Sequence, residues 1–220
     1  MALDTPVKSK TNVLKFHSEE DVAVALANYT ADLSKKHIRE KVSFSVVLSR
    51  GTLIDTMRKM VESPYKDSVD WSKWLIFWVD ERVVPLNSGD SNYKLAWDGF
   101  LQRYVPISPS NTYAINDKLT PEDAADDYEE RLKHLVDSKI ILLSDASGFP
   151  KFDLMLLGMG PDGHVASLFP TRQQLINSAS EIAMVVTGAE LADTVKKALG
   201  GGLAPGSTPF SAWKFHLKEN

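Results

Sequence analysis

The chain has 220 residues and a formal net charge of −4, and 43% of its residues are hydrophobic while 25% are charged. These values fit one globular domain with a substantial core and argue against disorder. The charge gives no basic surface for nucleic acid, and the absence of cysteine excludes disulfides, thiolate nucleophiles and zinc–thiolate sites. Without a targeting signal or a window of about 20 apolar residues, we expect a cytoplasmic protein with no membrane partner.

Predicted strands and helices alternate along the chain. Short apolar runs predict strands, and apolar residues at helical spacing predict helices. The predicted strands are 13–16, 42–48, 74–79, 152–157 and 182–187, and the predicted helices are 18–37, 53–61, 91–104, 120–137 and 190–199. Several strands are apolar on both faces, which predicts an α/β, Rossmann-like fold with a mostly parallel sheet flanked by helices. We predict a single domain over residues 1–220, with a divergent tail at 200–220.

The starts of two helices and one buried face can be assigned. Ser18 followed by Asp21 resembles a capping box, and Thr120 is a good N-cap before Pro121 at the first helical position. The apolar stripe of the first helix is predicted to comprise Val22, Ala25, Leu26, Tyr29 and Leu33. The tryptophans at 71, 74, 78 and 97 are interpreted as packing residues without a ligand role.

A loop with three glycines follows the strand at 152–157. Gly158, Gly160 and Gly163 lack Cβ atoms, so the backbone there can bend sharply and approach a ligand closely. The loop presents Asp162 and His164 beyond the carboxyl end of a strand, where open α/β sheets bind ligands. An imidazole titrates near pH ~6.5 when unperturbed, and a neighbouring carboxylate can keep it basic. This pattern predicts a general base. A backbone-bound loop histidine and an N-capping aspartate are the plainer alternatives.

The same glycines match the fingerprint of a dinucleotide-binding site. Two observations count against that interpretation. Pro170 allows at most a turn or two of helix after Gly163, and the acidic residue near the expected distance, Glu181, precedes a strand instead of ending one. The glycines are therefore interpreted as shaping a catalytic loop.

Two further loops follow predicted strands, at residues 49–52 and 80–82. Carboxyl ends of parallel strands share one edge of a sheet, so these loops and the loop at 158–164 are expected to converge on one cleft. Arg82 is predicted to bind a phosphate through its planar guanidinium. The N–H groups of the turn at 49–52 are candidates to cradle the same phosphate. The alternatives are a solvated charged turn at 80–82 and an ordinary turn at 49–52.

The chain resembles a known family in two signature segments. The signature loop of the plant-type 6-phosphogluconolactonases is closely similar to residues 156–170, LLGMGPDGHVASLFP. A second signature of this family is similar to residues 78–85, WVDERVVP, and 90–94, DSNYK. The likeness extends over roughly residues 10–170 and resumes at about 176–199. It implies the fold that this family shares with glucosamine-6-phosphate deaminases and related isomerases.

The resemblance also implies an activity. It indicates a metal-independent hydrolase without a cofactor, which opens 6-phospho-D-glucono-1,5-lactone to 6-phosphogluconate in the oxidative pentose phosphate pathway. His164 would be the general base that activates water, and Asp162 would orient its imidazole. The N–H groups near Gly160 and Gly163 are expected to stabilise the oxyanion.

The resemblance assigns the substrate phosphate to a second set of residues. Arg82 would hold the phosphate, assisted by the backbone around Ser49, Gly51 and Thr52. The partner is thus a small sugar-phosphate lactone, and the sequence leaves the oligomeric state undetermined.

The chain departs from the family pattern in three places. Arg50 replaces a glycine of the phosphate turn, and a positive φ there would cost about 1–2 kcal/mol. After Pro170 a segment with a phosphate-binding lysine and one strand or hairpin is missing. Residues 200–220 do not match the usual last strand, and 213–217 would form either an edge strand or an exposed tail. We therefore expect a shortened or alternatively spliced product with reduced substrate affinity.

Two other functions are compatible with the residues. One is an inactive sugar-phosphate-binding paralogue or splice product, and the other is a sugar-phosphate deaminase or isomerase. The Gly-x-Asp-Gly-His loop, together with the run at 167–170, favours the lactonase.

Overall fold

A computed structural model describes residues 13–102, 105–145, 147–167 and 179–188, together with Leu191 and Thr194. In this part of the chain the helices are α1 (Glu19–Lys41), α2 (Thr52–Thr56), α3 (Tyr65–Ser68), α4 (Asn92–Ala96) and α5 (Pro121–Asp137). The strands are β1 (Phe44–Leu48), β2 (Trp74–Trp78), β3 (Leu142–Leu143), β4 (Pro150–Leu157) and β5 (Ala179–Met184).

The described strands form a mostly parallel sheet. Its parallel strands lie in the order β2-β1-β4-β5, and the short β3 pairs antiparallel with the beginning of β4. In the register, Leu48 of β1 lies opposite Trp78 of β2 and Leu156 of β4. The carboxyl ends of β1, β2 and β4 therefore lie side by side, and the loops that follow them leave from one edge.

Helices pack on both faces of the sheet. Successive side chains of a strand point to opposite faces. Val46 of β1 accordingly belongs to a core cluster that includes Leu26 of α1, whereas Val47 belongs to a second cluster that includes Leu135 of α5. The predicted fold class is therefore confirmed. Trp71, Trp74 and Trp78 are buried and Trp97 packs against the first cluster, as packing residues should.

Helix α1 begins as predicted but buries a somewhat different stripe. The Ser18 hydroxyl accepts the N–H of Asp21 at 3.1 Å. Leu26 is buried as expected, whereas Tyr29 is 36% exposed and donates to a Glu181 carboxylate oxygen of β5 at 3.3 Å. Small buried residues complete the face, and these are Ala23, Ala27, Thr30 and Ser34. Their size lets the helix backbone approach the sheet closely.

Several predicted element bounds change. Residues 13–16 form no strand, and Leu14 is 75% exposed. An apolar run needs a neighbouring strand to bond its backbone, and none of the described strands pairs with this one. The predicted helices at 53–61 and 91–104 begin as α-helices and continue in 3₁₀ and π geometry, at Met57–Val61 and Trp97–Leu101. The strand predicted at 182–187 is β5. Most of the helix predicted at 190–199 lies outside the described residues. The whole tail at 200–220 also lies outside them.

A buried carboxylate joins α1 to the sheet on β4. Asp153 is 3% exposed. One of its carboxylate oxygens accepts the Ser45 N–H at 2.7 Å and the Ser45 hydroxyl at 2.9 Å. Its other oxygen lies 2.6 Å from Lys41 Nζ and 3.4 Å from His37 Nδ1. The carboxylate thus connects the last turns of α1 with both β1 and β4.

Replacing Asp153 with alanine is expected to lower the free energy of unfolding by about 3–5 kcal/mol, because it leaves its buried partners unpaired. Urea unfolding would measure the change. Asp126→Ala, at an exposed position of α5, is the matched control and should stay within about 0.5 kcal/mol of the wild type. Equal unfolding midpoints for the two variants would contradict this account of Asp153.

No helix within the described ranges is long and apolar enough to cross a membrane.

Candidate active site

The loops after β1, β2 and β4 contact one another at the carboxyl edge of the sheet. A Cβ atom built on Gly158 would lie 3.3 Å from the carbonyl oxygen of Arg50, so the loops after β1 and β4 are adjacent. The Ser167 hydroxyl donates to Asp80 Oδ2 at 2.7 Å, which joins the loops after β4 and β2. The expected convergence of the three loops is therefore confirmed.

Asp162 and His164 form a hydrogen-bonded pair on the loop after β4. His164 Nδ1 lies 2.5 Å from Asp162 Oδ1, and the same oxygen accepts the backbone N–H of His164 at 3.3 Å. The hydrogen bond from His164 holds the pKa of the Asp162 carboxyl below its usual value, so this carboxyl stays ionised at neutral pH. A carboxylate on Nδ1 favours the tautomer with its proton there, which makes Nε2 the basic nitrogen.

Gly160 provides the space in which the imidazole lies. A Cβ atom at this position would come within 2.2 Å of His164 Cε1 and 2.3 Å of Nδ1, far inside van der Waals contact. Gly163 adopts a φ of +88°, in the left-handed region that favours glycine. The two glycines are therefore required by the position of the ring and by the bend of the loop.

The N–H groups of Gly160 and Gly163 themselves are not available for the oxyanion role expected of the loop around them. Gly160 N–H donates to the carbonyl of His164 at 2.8 Å, and Gly163 N–H donates to the carbonyl of Gly160 at 2.9 Å. Each amide has one proton, and both protons are used inside the loop. The helix start considered for Asp162 is also absent, because residues 161–167 form turns and an isolated bridge.

Arg82 is half-buried and held near the start of α4. Its Nη1 donates to the carbonyl of Asp90 at 3.1 Å and lies 3.4 Å from Asn92 Oδ1. The Glu81 carboxylate accepts the N–H groups of Asn92 and Tyr93, both at 2.7 Å, and that of Arg82 at 2.8 Å. Glu81 thus fixes the backbone from which the guanidinium extends.

The turn at 49–52 differs from expectation in two respects. Ser49 N–H donates to the carbonyl of Leu156 at 3.1 Å, so this amide belongs to the sheet and is not available to a phosphate. Gly51 has a φ of +85°, whereas Arg50 is not among the residues with positive φ. The strain considered for Arg50 is therefore absent. Thr52 begins α2 at the same edge of the sheet.

Sequence reasoning did not assign roles to several polar residues that connect these loops. They are Asp80, Glu81, Asn92 and Ser167. The sequence feature that could have indicated these roles is the acidic pair Asp80 and Glu81, which directly follows a buried strand. No cluster of three or more histidine, aspartate or glutamate residues suited to a metal ion occurs in the part of the chain that the structure describes.

Residues 17–175 match the sequence model of the family described as glucosamine-6-phosphate isomerases/6-phosphogluconolactonase. The chain belongs to this family. A probable chloroplastic 6-phosphogluconolactonase of Oryza sativa is 54% identical to it over 214 residues, which cover 85% of this chain and 66% of the rice protein. A probable 6-phosphogluconolactonase of Arabidopsis thaliana is 47% identical, covering 88% of this chain and 85% of that protein.

A solved structure shares the fold. The 6-phosphogluconolactonase of Trypanosoma brucei superposes with a TM-score of 0.73 at 20% identity, covering 94% of each chain. At this identity the comparison supports the architecture alone.

The relatives also provide a comparison for the length of this chain and for its predicted cellular location. The chain spans about two thirds of the rice relative. The Arabidopsis alignment runs over 225 positions although this chain has 220 residues, so part of that relative has no counterpart here. This agrees with a missing segment. The rice protein is named as chloroplastic and the Arabidopsis protein without a location, so the cytoplasmic location stays a prediction.

Proposed function

We propose that this chain hydrolyses 6-phospho-D-glucono-1,5-lactone to 6-phosphogluconate. The observation that carries the proposal is the Asp162–His164 pair, at 2.5 Å, on a loop that Ser167 joins to the loop of Arg82. The names of the rice and Arabidopsis relatives support the same substrate.

In this mechanism the His164 imidazole acts as a general base. Nε2 takes a proton from water while the water oxygen attacks the lactone carbonyl carbon. The ring ester C–O bond then breaks, and the imidazolium returns the proton to the departing ring oxygen. The product is a carboxylic acid, which ionises in solution. The Asp162 carboxylate keeps the imidazole oriented and stabilises its charged form between the two steps.

The substrate phosphate is assigned to Arg82. The oxygens that this guanidinium contacts now are neutral, because one is the carbonyl of Asp90 and the other the amide oxygen of Asn92. A phosphate dianion forms stronger, charge-assisted bonds with a guanidinium and can replace such neutral contacts with a net gain. The fixed base of the side chain, held by Glu81, keeps the guanidinium near the edge of the sheet.

Arg82→Ala is expected to raise KM for the phosphorylated lactone by about 10–100-fold, on the scale of one charge-assisted contact, with a smaller change in kcat. Steady-state kinetics with the lactone would measure both constants. Arg39→Ala, an exposed arginine in the last turn of α1, is the matched control and should behave like the wild type. An unchanged KM for Arg82→Ala would remove Arg82 from the phosphate site.

The activity itself is tested by lactone disappearance at constant pH. The wild-type chain should consume the lactone faster than spontaneous hydrolysis, and the product should be 6-phosphogluconate. A rate equal to the blank, together with calorimetric binding of 6-phosphogluconate, would replace the hydrolase with an inactive sugar-phosphate-binding protein. The cytoplasmic location is part of the same proposal, and recovery of the protein in a plastid fraction would contradict it.

A further inference from the structure

We infer that Ser167 and Asp80 are positioning residues, whose hydrogen bond sets the separation between the loop that carries Arg82 and the loop that carries His164. The inference rests on the proposed lactonase activity and adds residues to its site. Neither side chain has to touch the substrate for this role.

The contacts of Asp80 form a path between the two loops. Its Oδ2 accepts the Ser167 hydroxyl at 2.7 Å. On the other side, Asn92 Nδ2 donates to the Asp80 carbonyl at 2.9 Å and lies 3.4 Å from Asp80 Oδ1. Asn92 Oδ1 lies 3.4 Å from Nη1 of Arg82. Polar side chains thus connect the proposed phosphate-binding group with a residue three positions beyond His164.

One end of this path is rigid and the other is exposed. Asn92 is 1% exposed, and the Glu81 carboxylate holds its N–H at 2.7 Å. Ser167 is exposed, and its hydroxyl bond is the described side-chain contact that brings the catalytic loop against this fixed point. An exposed hydrogen bond contributes little to stability. We therefore expect this bond to govern geometry more than folding.

Geometry matters here because the proposed substrate has two groups at a fixed separation. Its phosphate would be held at Arg82 while its lactone carbonyl faces His164. A displacement of about 1 Å between a bound substrate and a catalytic group can reduce the rate by about 100-fold. A hydrogen bond of 2.7 Å between the two loops limits such displacement.

The inference is tested with Ser167→Ala, Ser167→Thr and the control Ser138→Ala. Ser167→Ala should lower kcat/KM for the phosphorylated lactone by about 10–100-fold. Its inhibition constant for inorganic phosphate should be unchanged, because the free anion engages only the Arg82 loop. Ser167→Thr keeps the hydroxyl and should recover most of the activity. Ser138 is exposed at the end of α5, and its variant should match the wild type.

A double-mutant comparison tests whether Ser167 acts through Asp80. In an Asp80→Ala background, Ser167→Ala should produce no further loss. Each enzyme should unfold within about 4 °C of the wild type, since a surface contact is involved. Full additivity of the two variants, or equal losses of activity and of phosphate binding in Ser167→Ala, would overturn the positioning role.

An activity-independent readout separates this inference from the proposed function. In the wild type, titration with inorganic phosphate should shift the imidazole resonances of His164 in NMR spectra, and Ser167→Ala should abolish the shift while phosphate still binds. A wild type without lactonase activity would refute the function, yet this titration would still decide the coupling. An active wild type with the same phosphate-induced shift in Ser167→Ala would refute the positioning role alone.

Discussion

Replacing His164 with alanine is expected to lower kcat for the phosphorylated lactone by about 10²–10⁴-fold, which is the usual contribution of a general base. The imidazole is the group that removes the proton from the attacking water, and no second titratable side chain is held against the Asp162 carboxylate among the described residues. KM should change little, because the phosphate is assigned to Arg82. Stopped assays of lactone loss at constant pH would measure both constants.

The control for this variant is His134→Ala, which removes an exposed histidine in the last turn of α5. It should leave kcat unchanged. Rates for His164→Ala that equal those of the wild type would exclude the imidazole from the chemistry, and with it the proposed mechanism.

Gly160→Ala is expected to reduce kcat nearly as much as the loss of His164 itself, by about 10²–10⁴-fold. The added methyl group would lie 2.2 Å from Cε1 of the imidazole, so the ring must leave its position beside Asp162. His164 is only partly buried, which allows the ring to move toward solvent. The protein should therefore stay folded while its activity is lost, and thermal unfolding measured beside kcat would separate the two effects.

Gly89→Ala is the matched control, because a Cβ atom at Gly89 would meet nothing within 4 Å and its φ is not positive. The control should retain wild-type kcat and stability. A Gly160→Ala enzyme as active as this control would show that the imidazole does not work from the position observed here.

The general position of the site could be predicted because it depends on backbone direction. Parallel strands present their carboxyl ends at one edge of the sheet. The loops that begin at Asp80 and at Gly158 each follow an apolar strand, so both were expected at that edge. The Asp162–His164 contact was also predictable, since two residues two positions apart in a glycine loop can form a hydrogen bond without any long-range contact.

The parts that sequence reasoning missed depend on distant partners. Nothing local indicates that Ser167 donates to Asp80, which lies 87 positions earlier in the chain. Tyr29 fits an apolar stripe by spacing alone, yet its hydroxyl reaches Glu181 in a strand that arrives much later in the chain. Residues 13–16 have strand-like composition, but among the described residues no strand pairs with them.

The turn after β1 has a consequence for how this protein can diverge. Its left-handed backbone is borne by Gly51, with φ +85° and ψ −148°, a combination that residues with a Cβ atom rarely tolerate. Arg50 does not have a positive φ, and its side chain is exposed to solvent. Natural or designed variants can therefore exchange the arginine for neutral or acidic groups without deforming the loop, and so adjust the electrostatic attraction that an anion meets on entry.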